Sequence, residues 1–233
     1  MDAMLNLDIY GLKVRINFAS GKEKGEVAGL LRLFLRDENG EADVSLDFKK
    51  TVTRQEIARH LFPFLAERGI WAIHSGGFHY KGGHLTVGPS NCGKSTFSYM
   101  AMKHGLSLLS DDIALVRDAA SGIEILPFYS AIYLRHEVIF PDSGLFRPVA
   151  LTSLLLPRFG NGSLRVSKVE KRIDLLRQVV PQFLWSYDGK EQEKQRRFLE
   201  KMCDYPAFEV YWNDRMFDDH RLFRNVLDEI VQG

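Results

Sequence analysis

The sequence predicts an α/β protein in which a mixed, largely antiparallel sheet surrounds a helix that follows a phosphate-binding loop. The glycine-rich run GPSNCGKST, residues 88–96, lies between a short apolar run and a helical segment. A tight-turn signal at residues 81–83 precedes it, so the strand that enters the loop has an antiparallel neighbour. A P-loop ATPase or GTPase of the parallel-sheet type, built from crossover connections, is therefore disfavoured.

Composition is that of an ordinary soluble enzyme. The 233 residues are enough for one domain, or for one domain with a small appendage, and 45% of them are hydrophobic. A net charge of +1 gives no attraction to nucleic acid or to an anionic membrane. Two cysteines predict neither a disulfide framework nor a zinc site, and no apolar run reaches the roughly 18 residues of a membrane span. We expect a cytoplasmic protein that binds neither nucleic acid nor membrane.

Residues 1–66 are predicted to form a small β-α segment packed on the core, and residues 67–233 a P-loop catalytic domain. The alternating runs LDIYGLKVRINF, GLLRLFLRD and ADVSLDF predict strands, with ASGKEKGE and ENGE as turns. Thr53 with Glu56 three residues later is the pattern of a capping box. A helix of about 15 residues is expected to follow.

Strands and helices alternate irregularly in the rest of the chain. The runs GIWAIHSGGFHY, HLTVG, LSLLSDDIALVRD, IEILPF, AIYLRHEVIF, LTSLLLPRF and AFEVYW predict strands. Gly82 and Gly83 are expected to supply the positive φ of the hairpin turn. Helices are predicted through SYMAMKHG, from about Ser167 to Val180, through EQEKQRRFLEKM, and through DDHRLFRNVLDEIV with Asp218 or Asp219 as its cap.

The run GPSNCGKST matches the pattern GxxxxGK[ST] at every specified position, which predicts a site for a nucleoside triphosphate. Its glycines permit backbone angles that turn successive N–H groups onto an anion. Lys94 adds a positive charge near the β and γ phosphates, and Ser95 offers a hydroxyl to Mg²⁺. No NKxD sequence for guanine is present, so ATP with Mg²⁺ is the expected cofactor. The predicted nucleotide-binding residues are Gly88, Pro89, Ser90, Asn91, Cys92, Gly93, Lys94, Ser95 and Thr96.

Two adjacent acids, Asp111 and Asp112, lie 17 and 18 positions after Lys94. A helix and a returning strand need about that many residues, so both acids can return beside the loop. One carboxylate can then hold Mg²⁺, while the other accepts the proton of an attacking hydroxyl. The same SerAspAsp run also suits an ordinary turn between two short strands.

Three histidines, at 74, 79 and 84, fall in the hairpin before the loop, but no carboxylate or cysteine lies between them at ligand spacing. His74 is therefore a candidate contact to phosphate or acceptor, or an ordinary strand histidine. Arginines at 135, 158 and 165 are candidates to clamp a transferring phosphoryl group or an anionic acceptor, or are ordinary surface arginines. Aromatic residues near the C-terminus, Trp212 among them, are interpreted as core or as a protein contact surface.

The hairpin, GPSNCGKST and the following SDD together resemble the catalytic domain of HPr kinase/phosphorylase and its relatives with the phosphoenolpyruvate carboxykinase type of phosphate loop. The resemblance covers roughly residues 73–135. It implies a kinase in which Lys94 and Ser95 bind phosphates and Mg²⁺, Asp111 serves the metal and Asp112 the proton transfer. His74 then occupies roughly the place of the family's active-site histidine.

One departure from the family pattern bears on activity. In IYLRH, Tyr133 stands where the family has a metal-assisting glutamate, and Arg135 stands where it has an arginine. Two functions stay open: an ATP-dependent kinase that acts on a protein serine or a small-molecule hydroxyl, and a nucleotide-binding regulatory protein without phosphotransfer activity. The sequence identifies neither the acceptor nor the oligomeric state, and a homo-oligomer remains open.

Overall fold

A computed structural model of the chain describes residues 3–37, 40–49, 53–128, 131–134, 137–139, 147–160, 164–185 and 188–233. The chain divides into two compact units, Met1–Gly69 and Ile70–Gly233. The sequence-based boundary lies between residues 66 and 67, just before this division.

The first unit has a three-stranded sheet with β2 in the middle. Its strands are β1 (Met4–Ile9), β2 (Leu12–Phe18) and β3 (Val44–Phe48), and its helices are α1 (Gly21–Leu30) and α2 (Arg54–Glu67). Strands β1 and β2 form an antiparallel pair, whereas β2 and β3 are parallel. The capping box that begins α2 is confirmed, because the Thr53 hydroxyl accepts the Glu56 N–H at 3.2 Å and the Thr53 N–H donates to Glu56 Oε2 at 2.8 Å.

One stretch of the first unit differs from the sequence prediction. ASGKEKGE was predicted to be a turn and GLLRLFLRD a strand, but the chain forms α1 and a 3₁₀ turn at Arg32–Phe34. Val27, Leu30, Leu31 and Phe34 are all buried there. Their spacing of three and four residues is that of a helix face, and this period overrides the short alternation that suggested a strand.

The second unit contains a nine-stranded mixed sheet and a separate two-stranded hairpin among its described residues. Its strands are β4 (Ile70–Ile73), β5 (Gly76–His79), β6 (Gly83–Thr86), β7 (Ser107–Ser110), β8 (Ala114–Ala119), β9 (Gly122–Leu126), β10 (Ile132–Leu134), β11 (Glu137–Ile139), β12 (Val149–Phe159), β13 (Arg165–Lys168) and β14 (Ala207–Trp212). Its helices are α3 (Lys94–Lys103), α4 (Arg172–Val179), α5 (Gly189–Met202), α6 (Arg215–Asp218) and α7 (His220–Gln232). In the part of the chain that the structure describes, no helix has the length and apolar character to cross a bilayer.

The sheet is mixed and mostly antiparallel, as the sequence predicts. The expected tight hairpin is present as the antiparallel pair of β5 and β6. Strand β5 also pairs antiparallel with β7, and β12 runs parallel to both β6 and β14. Because the Leu155 carbonyl accepts the Val87 N–H while the Leu154 N–H donates to the Pro206 carbonyl, β6 and β14 lie on opposite edges of β12. The carboxyl ends of β7, β6, β12 and β14 therefore line up along one edge of the sheet.

Helix α3 packs on one face of this sheet. Phe97, Met100 and Ala101 on the helix are fully buried in one apolar cluster with Leu155 of β12 and Trp212 of β14. Helices α6 and α7 also contribute residues to this cluster, and the N-cap of α7 is Asp219, one of the two predicted caps. The helix that follows the glycine-rich run is thus packed on the sheet and touches the C-terminal helix through the Phe97 and Phe223 rings.

Three other sequence predictions need correction. LSLLSDDIALVRD is not one strand, because β7 ends at Ser110 and β8 begins at Ala114 and pairs with β4 and β9 instead of β5. GIWAIHSGGFHY divides in the same way into β4 and β5. Ser167 does not begin a helix, because it lies in β13, which pairs with β14, and α4 begins only at Arg172.

The glycines of the hairpin turn have a different role from the predicted one. Lys81, with φ of 54°, supplies the positive φ of this turn. A Cβ on Gly82 would collide with the Thr152 side chain, and a Cβ on Gly83 would lie 2.7 Å from the Ala150 carbonyl oxygen. Both glycines are needed because β12 passes close to the hairpin backbone.

Candidate functional site

The predicted site residues gather where β6 and β7 end. The loop at 88–93 follows β6, Asp111 and Asp112 follow β7, and His74 stands just before β5, which starts at the same edge. Ligands of open α/β sheets bind outside the carboxyl ends of the strands, where loops can converge. The tertiary structure therefore brings together the loop, both acids and His74.

The loop has three residues in the left-handed region. Gly88, Asn91 and Gly93 have φ of 146°, 65° and 102°. The first hydrogen bond of α3 joins the Phe97 N–H to the Gly93 carbonyl at 2.8 Å, so the N–H groups of residues 94–96 precede the helical bonding pattern. A helix start of this kind presents N–H donors and a partial positive charge, which favours an anion.

The Lys94 side chain lies folded against the loop. Its Nζ donates to the Gly88 carbonyl at 2.9 Å and to the Pro89 carbonyl at 3.1 Å, and the residue is buried. Removal from water lowers the pKa of Lys94, and the nearby Cys92, Asp112 and Asp111 partly oppose that shift. A buried ammonium group whose hydrogen bonds go to neutral carbonyls gains from an anionic ligand, because the anion would compensate its lost hydration.

Asp112 occupies a tight turn whose backbone is held on both sides. Its φ is 68°, a conformation that aspartate tolerates better than most residues. Its carbonyl accepts the Ser75 N–H at 3.1 Å, and the Ser110 hydroxyl donates to the Ile113 carbonyl. The SerAspAsp run is thus a turn between two strands, and this turn lies beside the loop.

A carboxylate and an imidazole face each other in this turn. Asp112 Oδ1 lies 3.2 Å from His74 Nε2, and the two side chains are 17% and 33% exposed. The His74 N–H donates to the Gln182 carbonyl at 2.7 Å, which fixes the histidine backbone. The Asp112 carboxylate is therefore held by a neighbour and is still reachable from solvent, as a proton acceptor for a bound substrate has to be.

Ser95 and Asp111 are the candidate oxygen ligands for a Mg²⁺ ion bound with a nucleotide. Asp111 is 1% exposed and follows β7, and Ser95 is in the first turn of α3. Within the described residues, no group of three or more His, Cys, Asp or Glu side chains could hold an ion unaided. Mg²⁺ at nucleotide sites usually takes one or two protein oxygens and completes its shell with phosphate and water. Ser95 and Asp111 would supply the protein oxygens at such a site.

His84 belongs to the sheet interior, not to the site. Its Nδ1 lies 2.8 Å from Ser153 Oγ and its Nε2 lies 2.8 Å from the Tyr80 carbonyl. Burial lowers the pKa of His84, so the neutral ring is favoured. With both ring nitrogens engaged, this histidine joins the hairpin to β12.

The arginine candidates are not brought to the loop as a group. Arg158 pairs with Glu209 at 3.1 Å, and Arg165 lies over the Tyr211 ring with its guanidinium carbon 4.3 Å from the ring centroid. Because side chains alternate along β12, Arg158 faces away from the side on which Leu155 packs against α3. Arg135 lies outside the described residues.

Trp212 is a site-supporting residue that the sequence did not reveal. A Cβ on Gly93 would lie 2.6 Å from Trp212 Cζ2, so the indole packs directly against the loop backbone. The tryptophan is 4% exposed and comes from the end of β14, more than a hundred residues further along the chain. The alternation in AFEVYW identifies a strand, but nothing local to that run indicates its proximity to the loop.

Gly93→Ala is expected to destabilise the protein by clearly more than the roughly 1 kcal/mol that positive φ costs an ordinary residue. The added Cβ would collide with Trp212, and an indole buried in the core has little room to move. Urea unfolding followed by circular dichroism measures the loss.

Gly105→Ala is the matched control for that substitution. Gly105 also has a positive φ, 76°, and follows the other end of α3, but a Cβ there meets no atom within 4 Å. Gly93→Ala is expected to cost less stability in a Trp212→Leu background than in the unsubstituted protein, because the obstructing ring is then absent. Equal losses for Gly93→Ala and Gly105→Ala would contradict the close packing of Trp212 on the loop.

Comparison with known proteins shows a distant structural similarity only. No protein-family model matches the chain, and no curated protein matches it. Among solved structures, the chain is similar to the HPr(Ser) kinase/phosphatase from Coxiella burnetii, with a TM-score of 0.40 and 14% identity over 70% of this chain and 99% of that one. A similarity this distant is compatible with the fold and assigns no role to an individual residue.

Proposed function

We propose that this protein is an ATP-dependent kinase that transfers the γ-phosphoryl group of Mg·ATP to a hydroxyl of a protein serine or a small molecule. The observation that supports this most is the juxtaposition of two different groups at one sheet edge. One is a loop whose sequence matches the phosphate-binding pattern and which contains a buried lysine, and the other is a carboxylate that lies 3.2 Å from a histidine. A phosphoryl transferase needs both a place for the phosphates and a base for the acceptor.

Phosphate binding uses the loop and the start of α3. Phosphate oxygens replace the Gly88 and Pro89 carbonyls as partners of the Lys94 ammonium group, and the first N–H groups of the helix donate to the same anion. The bonds to the carbonyls hold the side chain near its working position, so little side-chain entropy is lost on binding.

Proton removal is assigned to Asp112. Its carboxylate accepts the proton of the attacking hydroxyl while that oxygen forms a bond to the γ-phosphorus. The bond from phosphorus to the β,γ-bridging oxygen breaks, and ADP leaves with the electron pair. His74, 3.2 Å away, orients the carboxylate.

Mg²⁺ bound with the nucleotide supplies charge neutralisation at the transferring group. Ser95 and Asp111 are the residues of this chain that would hold it.

A nucleotide-binding regulatory protein without transfer is the second candidate function. What favours it is Tyr133, which stands at the position where the resembling family has a metal-assisting glutamate.

Incubation with γ-labelled ATP, Mg²⁺ and a panel of serine proteins and small alcohols tests the proposal. We expect label on an acceptor, or slow release of labelled phosphate when no suitable acceptor is present, and loss of both when Mg²⁺ is chelated. Tight ATP binding without transfer and without hydrolysis would instead favour the regulatory function.

A further inference from the structure

The order of the strands indicates in which direction along the sheet edge a bound nucleotide would extend from the loop. Asp111 and Asp112 follow β7, which lies on one side of β6 with β5 in between. Strands β12 and β14 lie on the other side of β6. If the γ-phosphate is next to the acids, the rest of the nucleotide extends from the loop toward the ends of β12 and β14.

An exposed aromatic ring stands at that end. Phe159 is the last residue of β12 and is 54% exposed, which is unusual for phenylalanine. Its ring centroid lies 4.7 Å from that of Trp212, which in turn packs against Gly93 of the loop. The Trp212 ring therefore contacts both the loop and Phe159.

Phe159 also projects beyond the start of the loop. Leu155 of β12 pairs with Thr86 at the end of β6, and β12 continues four residues further, about 13 Å at the usual rise of a strand. The Gly160 N–H donates to the Trp212 carbonyl at 3.1 Å and holds this extension in place. The ring of Phe159 thus packs against Trp212 and is exposed to solvent.

We infer that Phe159 is the stacking platform for the nucleobase of the nucleotide held by the loop. This inference rests on the proposed nucleotide-binding function and adds to it the residue that binds the base. Aromatic stacking uses the π-face that every base has, and a purine offers the larger face. The site is therefore expected to prefer purine over pyrimidine nucleoside triphosphates.

Replacing Phe159 by alanine tests this by comparing two ligands. We expect Phe159→Ala to weaken ATP binding about 5- to 150-fold, the range for loss of one base–aromatic stack. Binding of inorganic tripolyphosphate, which has the phosphates but no base, is expected to stay within twofold of the unsubstituted protein. Both affinities are measured by isothermal titration calorimetry with Mg²⁺ present.

Two further variants control for general effects of the substitution. Phe159→Trp keeps an aromatic face and is expected to retain ATP affinity. Ile173→Ala removes an apolar side chain of equal exposure, 54%, from α4 and is expected to leave both ligands unaffected.

The outcomes separate the two proposals. Suppose that ATP and tripolyphosphate both bind the unsubstituted protein, but Phe159→Ala changes neither affinity or changes both equally. The proposed stacking of the base on Phe159 is then wrong, whereas the proposed binding of phosphates by the loop is retained. If neither ligand binds the unsubstituted protein, the nucleotide-binding function fails, and the base site fails with it.

Discussion

Lys94→Ala is expected to reduce Mg·ATP affinity by at least about 100-fold and to abolish turnover. The substitution removes the buried ammonium group that lies against the loop, and a charge-assisted bond to phosphate is among the stronger interactions a site can offer. Calorimetric titration with Mg·ATP and with tripolyphosphate measures the loss. Both ligands are expected to weaken together, in contrast to the Phe159 variant.

Lys103→Ala is the matched control for this substitution. Lys103 is at the opposite end of α3, is exposed, and pairs with Asp218 at 3.0 Å. Its removal changes the net charge by the same amount, so equal effects of the two variants would point to general electrostatics. Unchanged ATP affinity in Lys94→Ala would contradict the proposal that the loop binds the phosphates of ATP.

Asp112→Asn is expected to spare nucleotide binding and to lower phosphoryl transfer by about 10²- to 10⁴-fold, the usual contribution of a general base. Asparagine has the same shape and tolerates positive φ as well as aspartate does, so the turn at φ of 68° is expected to persist. The amide cannot take up the hydroxyl proton. Single-turnover transfer of γ-label, measured beside ATP affinity, separates the two effects.

Asp118→Asn provides the comparison for an acid outside the site. Asp118 lies in β8, is exposed, and pairs with Lys201. We expect normal transfer from this variant. Full transfer by Asp112→Asn would show that another group accepts the proton.

The sequence predicted those parts of the structure around the candidate site that depend on local interactions. The spacing from Gly88 to Thr96 specified a glycine-rich loop followed by a helix, and the helix begins at Lys94. The Thr53 and Glu56 capping box likewise marked a helix start, because its hydrogen bonds span only three residues. In such short motifs, the residues that form the turn or the helix cap all lie within the motif itself.

Errors arose where a distant strand decides the outcome. LSLLSDDIALVRD alternates as one strand would, but β7 and β8 pair with different neighbours and the chain breaks between Ser110 and Ala114. Gly82 and Gly83 looked like turn residues, but the approach of β12 is what excludes their side chains. Alternation and composition do not indicate which strand will lie alongside.

The sequence by itself determined a glycine-rich loop, the helix after it, the hairpin before it and two acids at a distance from which they could return. Tertiary structure alone decided that Asp112 lies 3.2 Å from His74 Nε2, that Trp212 packs against Gly93, and that Phe159 stands exposed beside them. The physical reason is the range of the interactions. Turns and caps form within a few residues, whereas the sheet edge joins strand ends separated by up to about a hundred and forty residues, whose alignment depends on packing of the whole unit.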